Sequence, residues 1–165
     1  MLELNTERLD LILLTPGQLA LLAEDTGALE QALNCRRQGQ PVEGTFHAIL
    51  LEQARRAAAC SCQLPWHSFW LLLRRADRVA VGTADFKAPP DETGCVEIGY
   101  GLGIVHRGRG YMTEAVSALC AWAREQPEVQ HIAAETEAYN AASRRALARC
   151  GFVQVLPGPT DRWEL

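Results

Sequence analysis

At 165 residues the chain is long enough for one domain with a sizeable core and short for two. Apolar residues make up 48% and charged residues 22%, the balance of a compact globular protein, and the formal net charge of −4 supplies no basic face for nucleic acid or an anionic membrane. The longest apolar runs, such as Phe69-Trp70-Leu71-Leu72-Leu73, are too short to span a bilayer, and the opening Met1 to Arg8 lacks the basic-then-apolar pattern of a secretory leader. We therefore expect a cytoplasmic protein whose six cysteines are reduced thiols, most of them small core residues.

In chain order, Leu9 to Leu14 reads as a first strand, stopped by Thr15-Pro16-Gly17. Thr15 is placed as an N-cap with Pro16 at the first helical position, and Leu19, Leu22, Ala23 and Leu29 predict a helix from Pro16 to Leu33. Asn34 to Gly44 is a polar loop. Phe46, Ile49, Leu50, Gln53 and Ala57 predict a second helix, broken over Ser61 to Pro65. Strands follow at Phe69 to Arg74 and Arg78 to Phe86, with Ala76-Asp77 as their turn, and Lys87 to Gly94 is a loop. Cys95 to Ile104 alternates apolar and polar residues through Gly99, Gly101 and Gly103, a strand with a bulge or splay. Met112, Ala115, Val116, Leu119, Trp122 and Ala123 make a helix that Pro127 ends. His131 to Thr136 is a strand, Asn140 caps a helix closing at Cys150-Gly151, Phe152 to Leu156 is a strand, and Arg162 to Leu165 is a candidate edge. The order β-α-α-β-β-β-α-β-α-β predicts a single mixed α/β domain over residues 1–165.

Cys60-x-Cys62 with His67 nearby is the one pattern with a metal-like spacing. No second Cys/His pair follows it, so no metal is expected.

The segment that carries chemistry is Ile104-Val105-His106-Arg107-Gly108-Arg109-Gly110-Tyr111-Met112-Thr113-Glu114-Ala115, between a strand and a long amphipathic helix. Two glycines one residue apart let the backbone turn tightly and approach a ligand, and a helix start offers unpaired N–H groups at its positive end. A phosphate or pyrophosphate suits that end, with Arg107 and Arg109 adding charge. A P-loop would need Gly-Lys-Ser/Thr, but Gly110 is followed by Tyr111-Met112. A dinucleotide fingerprint would need a third glycine where Thr113 stands. Glu135 imitates the ribose-binding acid of that fold, yet only 55 residues follow Gly110, too few for the rest of a doubly wound sheet.

With Val96-Glu97-Ile98-Gly99-Tyr100-Gly101-Leu102 before it, and Asn140-Ala141-Ala142-Ser143 and Cys150-Gly151-Phe152 after it, this loop resembles that of the GNAT superfamily of N-acetyltransferases. The branch it looks like acetylates ribosomal-protein N-termini, and the opening Thr6-Glu7-Arg8-Leu9 of this chain also resembles that branch. The resemblance covers nearly the whole chain and implies a mixed, mostly antiparallel, splayed sheet with helices on both faces. It further implies acetyl-coenzyme A as co-substrate and a primary amine as acceptor, by resemblance a protein or peptide α-amino group. Backbone amides of Arg107, Gly108, Arg109, Gly110, Tyr111 and Met112 would hold the pyrophosphate. Leu102, Gly103 and Ile104 would pair with the pantetheine arm, Asn140 would hydrogen-bond the cofactor, and Ser143 would protonate the thiolate. Val105 departs from the Gln or Arg frequent in the family at that position, which removes one side-chain contact and leaves the backbone cradle.

Attack of an amine on a thioester calls for a base and benefits from an acid. Glu97, on the strand leading to the loop, is the candidate base, directly or through water, and Ser143 the candidate acid, with Tyr100 and Tyr139 as rivals. Arg144, Arg145 and Arg149 are candidates for the 3′-phosphate. Trp66, Phe69 and Tyr100, with His67, are candidate lining for the acceptor, while Met112, Leu119 and Trp122 are read as core. Two alternatives stay open. One is a small-molecule amine such as an aminoglycoside or polyamine, for which Asp85, Asp91, Glu92 and Glu97 would supply an acidic pocket. The other is a non-catalytic module that senses acyl-coenzyme A. No nucleic acid or membrane partner is expected, and the sequence leaves a homodimer open.

Overall fold

A computed structural model describes residues 2–38, 42–60 and 63–165. The elements are β1 (Glu3–Asn5), β2 (Leu9–Leu13), α1 (Pro16–Glu24), α2 (Thr26–Leu33), β3 (Arg36–Arg37), α3 (Gly44–Ala59), α4 (Leu64–His67), β4 (Phe69–Arg74) and β5 (Val79–Phe86). They continue with β6 (Cys95–Leu102), a 3-10 turn (Ile104–His106), α5 (Tyr111–Arg124), β7 (His131–Glu137), α6 (Ala141–Arg149), β8 (Val153–Leu156) and β9 (Thr160–Glu164). The strands form one sheet in the order β1-β2-β4-β5-β6-β7-β9-β8, with β3 pairing parallel to the start of β5. Every other neighbouring pair is antiparallel except β6 with β7.

Strand alternation divides the core into two layers. On β2 and β4, Leu9, Leu11, Leu13, Trp70 and Leu72 face the α5 layer with Ala115, Val116 and Leu119. Ile12, Leu14, Phe69, Leu71 and Leu73 face α1, α2 and α3, meeting Leu19, Leu22, Leu29, Leu33 and Leu50. Strands covered on both faces read as unbroken apolar runs, and each such buried side chain stabilises the fold by about 1.5–3 kcal/mol.

The expected first helix is two helices. Thr15 caps α1 through a reciprocal pair, its hydroxyl accepting from the Gln18 N–H and the Gln18 side chain accepting from the Thr15 N–H. Asp25 then leaves helical geometry and its carboxylate caps α2 by accepting from the Ala28 N–H at 3.0 Å. A short acidic side chain able to cap ends one helix and starts the next, a competition that apolar periodicity does not register. Within the expected break around Ser61 to Pro65, Leu64–His67 forms the single turn α4. Ser61, Cys62 and residues 39–41 lie outside the described residues, so the Cys60-x-Cys62 pattern does too.

The C-terminal strand is also corrected. Thr160 to Glu164 is not an edge: it lies between β7 and β8, and β8 is the outer strand. The sheet is irregular at three points, one of them a register shift between Gln154 and Leu156 where β8 meets β9. A bulge sits between Leu72 and Leu73 where β4 meets β5. The splay is between β6 and β7, which pair only from Cys95 to Ile98 against His131 to Ala134. Beyond Ile98, β6 stays with β5 as far as Leu102 while β7 continues with β9 as far as Glu137. The two central strands therefore diverge, and the wedge between them is where the site lies.

Candidate functional site

One side of the wedge is β6 from Ile98 to Leu102, whose edge toward β7 has lost its ladder partner. The other side is Glu135, Thr136 and Glu137 of β7 with the first turns of α6. Together they enclose a groove of about 400 Å³ that runs to the loop before α5. A strand edge with unpaired N–H and C=O groups accepts an extended, amide-bearing chain as a further strand.

The loop closes the far end of the groove. Gly108 and Gly110 both have positive φ, 74° and 81°, a conformation that costs other residues about 1–2 kcal/mol. A Cβ at Gly108 would meet nothing within 4 Å, so the glycine serves the backbone conformation and leaves the approach open. Gly110 is the N-cap of α5, and among the described residues no side chain caps that helix. Its first N–H groups are left for a ligand at the positive end of a 14-residue helix. Arg107, Arg145 and Arg149 line the same groove and make it positively charged.

Arg8, 101 residues upstream, holds this loop. Its guanidinium donates to the Arg109 carbonyl at 2.9 Å and binds the Glu114 carboxylate of α5 at 2.7 Å, while lying 4.9 Å from the Tyr111 ring centroid. The Thr6 hydroxyl and the Arg8 N–H also donate to Glu114. Burial pushes the Glu114 carboxyl up, but these donors outweigh it and hold it below its ordinary value. Thr6-Glu7-Arg8-Leu9 thus has a physical role: it fastens the loop to the β1–β2 turn.

Midway along the groove the Tyr100 hydroxyl lies 2.8 Å from the Ser143 hydroxyl. Burial pushes the Tyr100 phenol up to about 12, with the Ser143 contact drawing it partly back, so it stays protonated at neutral pH. Asn140 caps α6 by accepting from the Ser143 N–H at 3.1 Å, which fixes Ser143 in the first turn.

On the opposite face of β6 lies a larger cavity of about 1250 Å³ between β4, β5, β6 and α3. Tyr100, Gly101 and Leu102 border both spaces, so β6 is the partition between them. The cavity walls are chiefly apolar, with Phe46, Ile49, Phe69 and Leu71 among them, and Phe46 meets Phe69 edge-on at 5.6 Å. Its buried acid is Asp85 of β5, directly across from Gly99 of β6.

The geometry sorts the residues singled out by sequence. Leu102, Arg107, Gly108, Gly110, Met112, Asn140, Ser143, Arg145 and Tyr100 line the groove, while Gly103 and Ile104 turn to the larger cavity. Arg109 of the loop and Tyr111, the first residue of α5, belong to the Arg8 clamp instead. Phe69 lines the larger cavity. Trp66 lines neither space, because it is buried against Phe86 and Trp122 in the core. Glu97 also lines neither: its carboxylate is taken by the Lys87 ammonium. Arg144 turns from the groove to the buried Asp161 at 3.1 Å, and Tyr139 is exposed to solvent. The sequence patterns that contain Arg8, Glu114 and Gln53 assigned them no part in a site, and Asp85 stood only as one of several acids. An acid flanked by Ala84 and Phe86 inside an apolar strand was the available signal for Asp85.

The acetyltransferase (GNAT) domain family matches residues 21–153. An N-acetyltransferase of Bacillus subtilis, YjdG, is 34% identical over 84 residues, which cover 51% of this chain and 50% of that one. The chain thus spans about half the length of the curated relatives it matches. Among solved structures, a ribosomal-protein-S5-alanine acetyltransferase from Vibrio fischeri superposes with a TM-score of 0.69 at 14% identity, covering 99% of this chain and 94% of that one. The ribosomal L7/L12 alpha-N-protein acetyltransferase RimL in complex with coenzyme A gives 0.67 at 15% identity, covering 99% and 97%. At such identities the likeness is one of fold. The splayed β6–β7 pair, the glycine loop at the start of α5 and the family match over residues 21–153 together assign the chain to the acetyltransferase (GNAT) family.

Proposed function

We propose that the protein transfers an acetyl group from acetyl-coenzyme A to a primary amine, the α-amino group of a peptide or protein. The observation that carries this reading is the partition by β6. A groove fitted to an extended phosphorylated ligand lies on one face, an apolar cavity with a buried acid lies on the other, and Tyr100 borders both. RimL, whose structure contains coenzyme A, has the same fold, which supports placing that co-substrate in the groove.

The residues present fit that group. Uncapped N–H groups at the start of α5, with Arg107, Arg145 and Arg149, suit its phosphates. The free edge of β6 suits its two amides. In the reaction the neutral amine nitrogen bonds to the thioester carbonyl carbon, the carbon–sulfur bond breaks, and the nitrogen gives up one proton to solvent. The leaving thiolate takes a proton from the Tyr100–Ser143 hydroxyl pair, which is refilled from solvent. The acceptor reaches the thioester from the larger cavity, where its body is desolvated by apolar walls.

The test is release of free thiol from acetyl-coenzyme A in the presence of peptides with different N-terminal residues, aminoglycosides and polyamines. Release that depends on a peptide with a free N-terminus, and stops when that terminus is blocked, supports the reading. Release with polyamines or aminoglycosides alone would move the acceptor to small molecules, and absence of acetyl-coenzyme A binding would remove the groove assignment.

A further inference from the structure

We propose that Asp85 and Gln53 form the receptor for the acceptor's amino group, and that the acceptor carries one amine on an apolar body. This rests on the acetyl-transfer reading above.

The case begins with polar atoms that lack partners. Asp85 is 8% exposed and Gln53 9%, and both line the larger cavity. The Gln53 amide donates to Asp85 Oδ2 at 3.2 Å, leaving the Gln53 Oε1 buried with no hydrogen-bond partner among the described residues. A buried carboxylate beside a buried unpaired carbonyl is a costly arrangement unless donors arrive. A primary ammonium brings three donors and a positive charge, which answers both groups at once.

The strand geometry makes room for it. Asp85 is paired with Gly99, and a Cβ added there would lie 2.7 Å from Asp85 Oδ1. Gly99 therefore lets the carboxylate lie against the β6 backbone, one residue before Tyr100 and at the point where β6 leaves β7. An amine held there is next to the partition, on the face opposite the Tyr100–Ser143 pair. The bound ammonium first gives one proton to Asp85, which passes it to solvent and leaves a neutral amine with a free lone pair. As the N–C bond forms and the C–S bond breaks, the nitrogen gives up a second proton by the same route, while the thiolate takes one from the hydroxyl pair, which solvent refills, so that one proton is released overall.

The remaining charges restrict the acceptor. Around the cavity, Arg37, Arg56 and Lys87 stand against Glu52 and Asp85. Glu52 is bonded to Arg55 and Arg56, and Lys87 to Glu97. Asp85 is thus the acid left for a cation, and Arg37 opposes a second one. Phe46, Ile49, Ile104 and Val105 are exposed large apolar side chains, and all border this cavity. Covering them favours an apolar first side chain next to the amine.

Steady-state kinetics with Leu-Ala-Ala amide, Lys-Ala-Ala amide, 2-phenylethylamine and spermidine, in the wild type and in Asp85→Asn, test the proposal. We expect kcat/KM for the leucyl peptide to exceed that for the lysyl peptide about tenfold or more. Asp85→Asn should lower kcat/KM about 100-fold with unchanged acetyl-coenzyme A affinity. It should also erase an acid limb in the pH profile that lies above the ordinary carboxylate range, because burial pushes Asp85 up despite Gln53 and Lys87, with Glu97 adding to the rise. Gly99→Ala, which displaces the carboxylate without removing it, should also slow turnover. A full-rate Asp85→Asn enzyme overturns the receptor and leaves acetyl transfer standing. Preference for spermidine or the lysyl peptide overturns the monoamine claim. Turnover of none of the four amines by a wild type that binds acetyl-coenzyme A overturns the proposal, whereas failure to bind acetyl-coenzyme A overturns the reading beneath it.

Discussion

Removing the Arg8 side chain should loosen the Gly108–Gly110 loop without unfolding the protein. In Arg8→Ala the ion pair to Glu114, the bond to the Arg109 carbonyl and the stacking on Tyr111 disappear together. An exposed ion pair alone contributes about 0.2–1 kcal/mol, and the Arg8 side chain is 43% exposed, so solvent screening applies. The forked geometry and the carbonyl bond raise the whole to about 1–2 kcal/mol. Glu114 keeps its bonds to Thr6 and to the Arg8 N–H, which limits the loss. For a chain of this size the melting midpoint should fall roughly 2–8 °C. If loop order must then be restored on binding, acetyl-coenzyme A affinity should fall about 5- to 30-fold. Calorimetric titration and thermal melts of Arg8→Ala, Glu114→Gln and the double variant give the coupling, expected at about 1 kcal/mol. The Glu114 carboxyl is held low in the fold, so its stabilisation is full above the unfolded carboxylate value and lost as pH falls through the folded value. The stability deficit of Arg8→Ala should therefore shrink in acid. Unchanged affinity and additive single effects would show that Arg8 does not hold the loop.

Tyr100→Phe and Ser143→Ala should each lower kcat at least about tenfold while acetyl-coenzyme A affinity changes little, measured by thiol release and titration. Asp85→Asn should melt higher than the wild type at pH 7. Burial raises the Asp85 carboxyl, so stability is greatest below its unfolded value and falls as pH rises through the folded value, and asparagine mimics the protonated form. Melts of both proteins across pH should therefore converge in acid, and an Asp85→Asn protein less stable than wild type at pH 7 would contradict this.

Much of the fold was legible because the signals were local. Thr15-Pro16, the repeat from Met112 to Ala123, and Asn140 with Gly151 mark helix ends and faces within a few residues. The tight turn before α5 was legible for the same reason, since Gly108 and Gly110 declare their backbone conformation. What escaped depends on distant pairing. That β9 inserts between β7 and β8 is decided by packing across the sheet, not by its own pattern. Arg8 meets the loop across 101 residues, and Glu97 meets Lys87 rather than either cavity, partners that spacing does not name. Trp66 looks the same in sequence whether it lines a pocket or, as here, packs on Phe86 and Trp122.

The most direct test of the account is calorimetric titration of acetyl-coenzyme A into the wild type, Gly110→Ala and Gly110→Glu. Both substitutions place a side chain at φ 81° and share that strain, but only glutamate sets a carboxylate at the start of α5. If the pyrophosphate lies on this loop, the wild type binds, alanine binds more weakly, and glutamate loses binding while the protein stays folded by circular dichroism. Equal affinity in the glutamate variant would contradict the placement of the co-substrate, and with it the division of labour across β6.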